Sequence, residues 1–115
     1  MARKTFSVTR YVYQVGYKNT ATWDGTRILI QGYVACYGDS DRFIVYGLHP
    51  DSPVPASPVY NVSGNVGAIF VPFAELTNYV DIVRNERPVY ATLNSDHPDW
   101  MGLRTASEPI GEEES

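Results

Sequence analysis

The tripeptide His-Pro-Asp occurs twice, at His49–Asp51 and at His97–Asp99, and Asp96 stands immediately before the second copy. Imidazole beside carboxylate is the raw material of a metal site or an acid/base pair, because histidine titrates near neutrality and both groups ligate zinc. Neither copy supplies a compact ligand pattern such as two histidines one helical turn apart, and the proline after each histidine stiffens its loop. Chemistry here therefore requires the two loops to converge. Under that condition His49, Asp51, Asp96, His97 and Asp99 form the candidate metal or acid/base set. The competing explanation is that these combinations are turn formers that recur in loops for backbone reasons.

Nucleophilic catalysis has little support. Cys36 is the one cysteine, which rules out an intrachain disulfide, and it falls in an apolar stretch where a buried, unreactive thiol is expected. No serine sits in a Gly-x-Ser-x-Gly elbow, and Gly64-Asn65-Val66-Gly67 lacks the lysine and following helix of a phosphate loop. The reading leans away from an enzyme and implies no cofactor.

Tyrosine is the other candidate. Tyr11, Tyr13 and Tyr17 lie in one segment, Tyr33 and Tyr37 in the next, and Tyr46 in a third. Tyrosine offers a rigid, half-apolar contact surface with a hydrogen-bonding tip and little rotamer entropy to lose, which suits protein recognition or stacking on rings. It is also a good strand former that fills core edges. The candidate partner-binding set is Tyr33, Tyr37, Tyr46 and Arg42, with Tyr11 and Tyr13.

The elements that must position these residues follow from period. Alternation over Phe6–Tyr17, Arg27–Tyr37 and Arg42–Leu48 predicts three strands, the last two joined by the turn Gly38–Asp41. If Tyr37 opposes Arg42, Tyr33 faces Tyr46 and Ala35 faces Ile44 on one side, while Cys36 meets Phe43 and Val34 meets Val45 on the other. That parity sends Ile28, Ile30, Val34, Cys36, Phe43 and Val45 inward and leaves Tyr33, Tyr37 and Tyr46 on the opposite face. Gly32 then opposes Gly47, which marks a bend or a close contact. The register between residues 6–17 and 27–37 stays open.

Residues 49–58 contain four prolines and are expected to lie extended on the surface. A short edge strand at Val59–Val62 and a better one at Gly67–Val71 follow. Phe73, Leu76, Val80 and Val83 then fall on one helical face, with Pro72 at the start and Pro88 as the stop, giving a helix over about 73–84. Val89–Asn94 and Met101–Thr105 close the domain as strands. The fold expected is mainly β: a small β-sandwich or barrel of six to seven strands with one short α-helix before the last two strands, over residues 1–106. The order of elements is also that of an OB-like barrel, apart from the additional strand near Ile69. Residues 107–115 carry four glutamates and read as a mobile acidic tail.

A net charge of −4 with dispersed Lys and Arg disfavours a protein that grips nucleic acid through its phosphates. No run approaches the roughly 20 apolar residues of a membrane span, and a cytoplasmic chain is the expectation. The leading expectation is a non-enzymatic binding or assembly module that uses a tyrosine-rich sheet face or a strand edge to hold a protein partner or another copy of itself as a homo-oligomer. The alternatives are a small-ligand or single-strand nucleic-acid module and an enzyme built on the two His-Pro-Asp loops.

Overall fold

The computed structural model describes residues 3–23, 25–55 and 57–105, of Tyr17 the backbone alone. Among them are eight strands and one α-helix: β1 (Arg3–Ser7), β2 (Arg10–Trp23), β3 (Thr26–Tyr37), β4 (Arg42–Leu48), β5 (Val59–Asn61), β6 (Val66–Pro72), α1 (Leu76–Asn85), β7 (Val89–Asn94) and β8 (Gly102–Thr105). They build a five-stranded sheet in the order β2-β3-β4-β6-β5 and a three-stranded sheet in the order β1-β7-β8. Neither sheet closes, so the barrel alternative gives way to two sheets packed in the manner of a sandwich. The acidic segment expected at 107–115 lies outside the described residues.

The core joins both sheets to the helix. Val34 and Cys36 of β3, Phe43 and Val45 of β4, Phe6 of β1, Ala91 and Leu93 of β7, and Leu76 and Val80 of α1 form one buried cluster. The β3–β4 register is the one that hairpin parity demands, with Tyr37 opposite Arg42, Tyr33 opposite Tyr46 and Cys36 opposite Phe43. Gly32 opposes Gly47, and the reason is packing. A Cβ built on Gly32 would lie 2.9 Å from the ring of Phe73, and one on Gly47 would lie 3.1 Å from it.

The helix forms where the apolar spacing changes from two to three and four. A 3-10 turn at Phe73–Glu75 leads into α1, whose Leu76 and Val80 are buried while Val83 packs beside them. It carries the chain from β6 in one sheet to β7 in the other.

Three sequence expectations need correction. First, the described residues form eight strands rather than six or seven, because the segment expected as one strand over Phe6–Tyr17 is two. The break is at Val8–Thr9, where the Val8 amide donates to Val89 O at 2.9 Å and the Thr9 amide donates to Tyr37 O at 2.8 Å. Val89 belongs to one sheet and Tyr37 to the other, so consecutive amides serve different sheets. Second, β2 runs on through the polar stretch Lys18-Asn19-Thr20 to Trp23, with a register shift between Val15 and Asn19. Third, Ile28 and Ile30 are buried but not in the core with Val34 and Cys36. The β3–β4 ladder shifts between Ile30 and Gly32, where two steps on β3 answer one step on β4. A bulge of this kind reverses the parity of everything beyond it. Ile28 and Ile30 therefore pack on the tyrosine side, against Trp23, Tyr33, Tyr46 and Phe70.

Candidate association edge

The tyrosine face exists, and its rings are packed on one another. Tyr46 lies 5.8 Å from Phe70 in a stacked arrangement, 5.9 Å from Trp23 and 6.2 Å from Tyr33. Tyr33 donates its hydroxyl to Gln14 Oε1 at 2.8 Å, and Arg10 places its guanidinium 4.0 Å above the Tyr37 ring. Tyr33, Tyr37 and Tyr46 are half-buried. Burial raises the Tyr46 phenol above its ordinary pKa. Trp23, at the far end of the β2–β3 hairpin, covers part of this face, so less of it is presented outward than strand parity alone implies. Arg42 is exposed beside the turn, opposite Tyr37.

Tyr11 and Tyr13 answer the open question of register. They oppose Cys36 and Val34, which puts them on the face that is core in β3 rather than on the Tyr33 face. Yet Tyr11, Tyr13 and Val15 are 37%, 39% and 54% exposed, and Val12 on the other face is 40% exposed. Among the described residues β2 pairs with β3 alone. Tyr11–Val15 is thus uncharged and exposed, with Tyr11, Tyr13 and Val15 on one face and Val12 and Gln14 on the other, and among the described residues it has one free edge.

The remaining strand edges are blunted by the usual devices. β5 has only three residues and follows Pro53, Pro55 and Pro58. β1 bears Arg3 and Lys4, the latter paired with the buried Asp41 at 3.0 Å, and β8 has four residues including Arg104. Between Tyr11 and Val15 there is no proline and no charge.

The two His-Pro-Asp copies close separate turns. At the first, His49 Nδ1 accepts the Asp51 amide at 3.1 Å and lies 3.7 Å from Asp51 Oδ2. At the second, Asn94 Oδ1 accepts the amides of Asp96 and His97 at 3.0 and 2.9 Å, and the His97 ring stacks on Trp100 at 3.9 Å. Among the described residues no three His, Cys, Asp or Glu side chains are grouped to hold a metal ion. His49 instead borders an apolar cleft of about 550 Å³ with Leu48, Phe70 and Phe73.

Sequence reasoning misses a cleft of about 710 Å³ at the start of β2, where Arg10 and Tyr11 meet Val83 of α1 and the segment Glu86–Val89. Its walls come from distant parts of the chain, and no local signal marks it. No helix among the described residues is long and apolar enough to cross a membrane. No family model, curated protein or solved structure matches the chain.

Proposed function

We propose that the protein is a non-enzymatic assembly module that associates through the free edge of β2, with a second copy of the chain as the first occupant. The observation that carries this reading is the run Tyr11–Val15, exposed on both faces of an edge that is unpaired among the described residues, while the other edges there are short, proline-flanked or charged. Strand addition at such an edge supplies main-chain hydrogen bonds, and the alternating side chains supply specificity.

The run is self-complementary. An antiparallel pair around a two-fold axis normal to the sheet keeps each face continuous, so directly opposed residues share parity. Centred on Tyr13, that arrangement sets Tyr11 against Val15 and Val12 against Gln14, twice each. Aromatic and β-branched side chains directly opposed are a favourable cross-strand pair. Arg10 meets Gly16, so no like charges face each other. A strand pair of this length buries less than the roughly 1,200 Å² of a standard interface, so a reversible monomer–dimer equilibrium is expected rather than a permanent dimer.

Analytical ultracentrifugation over a concentration series tests this. The wild type should show a monomer–dimer equilibrium, and Val15→Lys, which puts two ammonium groups at the pair's ends, should weaken it at least about tenfold, equivalent to about 1.4 kcal/mol. A wild type that stays monomeric to millimolar concentration contradicts the proposal.

A further inference from the structure

The apolar cleft beside His49 lies where two parallel strands part. Among the described residues β4 and β6 are the parallel pair, and their ends, Leu48 and Pro72, stand opposite each other in the cleft wall. From Leu48 the chain turns away through residues 49–58 to β5, at the edge of the same sheet, whereas from Pro72 it turns through Phe73–Glu75 into α1. Connections that diverge from adjacent parallel strand ends leave a crevice between them, which is where open α/β sheets hold their ligands. The volume of about 550 Å³ falls within the roughly 300–1,000 Å³ of small-molecule sites.

The apolar lining is set in advance. Phe73 is seated against Gly32 and Gly47, and Phe70 is stacked on Tyr46, so both rings are held before a ligand arrives. Of the polar residues in the lining, Ser52 is engaged by its own turn, its Oγ accepting the Leu29 amide and donating to Pro53 O at 2.8 Å each. His49 Nδ1 is engaged by the Asp51 amide. Gln31, the additional residue of the β3 bulge, is half-buried, and among the described residues its side-chain amide has no hydrogen-bond partner. Among the described residues no lysine, arginine, aspartate or glutamate lines the cleft.

We propose that this cleft binds an uncharged aromatic molecule with one hydrogen-bonding group, its rings against Phe70 and Phe73 and its polar group on the Gln31 amide. A charged ligand would leave water and meet no counter-charge. The cleft lies at the ends of β4 and β6, apart from the Tyr11–Val15 edge, so the two proposals stand or fall separately.

The probe is N-phenyl-1-naphthylamine, a neutral dye with one N–H that fluoresces in apolar surroundings, titrated into the full chain. Saturable binding of one dye per chain is expected. Ala74→Glu and Val54→Glu put a carboxylate at exposed positions in the lining, and each should weaken binding at least about tenfold. Gln31→Ala should weaken it about fivefold, the worth of one net hydrogen bond. Val62→Glu, on an exposed turn outside the cleft, and Val15→Lys, on the β2 edge, should leave it unchanged. As competitors, 2-naphthol should displace the dye at least about tenfold better than 2-naphthoate, which has the same rings and a carboxylate. Circular dichroism establishes that each variant is folded. Absence of saturable binding, binding indifferent to both cleft variants, loss of binding in Val15→Lys, or equal displacement by the two competitors overturns the proposal. Loss of dimer in the cleft variants without any dye binding makes the cleft a contact between copies and overturns it as well.

Discussion

Cys36 shows how far a single side chain could be read. Its neighbours in sequence are apolar, its strand alternates, and the turn at Gly38–Asp41 fixes its partner, so burial opposite Phe43 followed from local pattern alone. The chemical consequence is that burial pushes the thiol from 9.0 up to about 12. In the unfolded chain the thiol ionises near 9, whereas in the fold it stays neutral until about 12, so stability is fully present below pH 9 and is lost as pH rises through this window. Tyr46 and Tyr79, raised in the same direction by burial, add to the loss at higher pH. Denaturant unfolding between pH 9 and 12 should therefore fall off more steeply in the wild type than in Cys36→Ala, by up to about 1.4 kcal/mol per pH unit. Parallel pH profiles for the two proteins would contradict this. The cleft at the start of β2 marks the opposite limit: nothing near Arg10 in sequence announces Arg87, because both line it only once the chain crosses between sheets at Val8–Thr9.

Among the elements, β3 was legible over half its length. From Gly32 to Tyr37 its pairs with β4 are those that parity requires, and the tyrosines do lie on the face opposite Val34 and Cys36. Below Gly32 parity failed, since one inserted residue at the bulge moves Ile28 and Ile30 to the tyrosine side. Isoleucine at alternate positions reads the same whichever face it occupies, so periodicity could not reveal the reversal. Deleting Gln31 should therefore leave a regular ladder, with Ile30 next to Gly32 and both isoleucines still packed against Trp23, Tyr46 and Phe70. Truncating either isoleucine removes that packing, so Ile28→Ala or Ile30→Ala should cost about 2–5 kcal/mol. Gln31→Ala keeps the residue count and should cost less than about 1 kcal/mol. Thermal unfolding of these variants checks the contrast, and a Gln31 deletion as costly as Ile28→Ala would contradict the role given to the bulge. β2 escaped correct delimitation for a related reason. Polar residues at Lys18-Asn19-Thr20 read as a loop, but a strand exposed on both faces has no need of apolar residues there.

At the scale of the whole molecule, composition and period were enough to define a mainly β chain with one helix before its last strands. They could not define which strands would be left at the edges, because sheet order depends on long-range pairing: β4 lies beside β6, and β1 lies beside β7. That order is what leaves β2 paired on one side only and gives Tyr11–Val15 its exposure. The central claim is that this edge joins two copies in one register, with Tyr13 opposite itself. The most direct test is mild oxidation of Tyr13→Cys and of Val12→Cys, with the native thiol at Cys36 buried and out of reach. Residues directly opposed across an antiparallel pair lie close enough for a disulfide. The account predicts a disulfide-linked dimer from Tyr13→Cys and none from Val12→Cys. A dimer from Val12→Cys alone, or from neither, would contradict it.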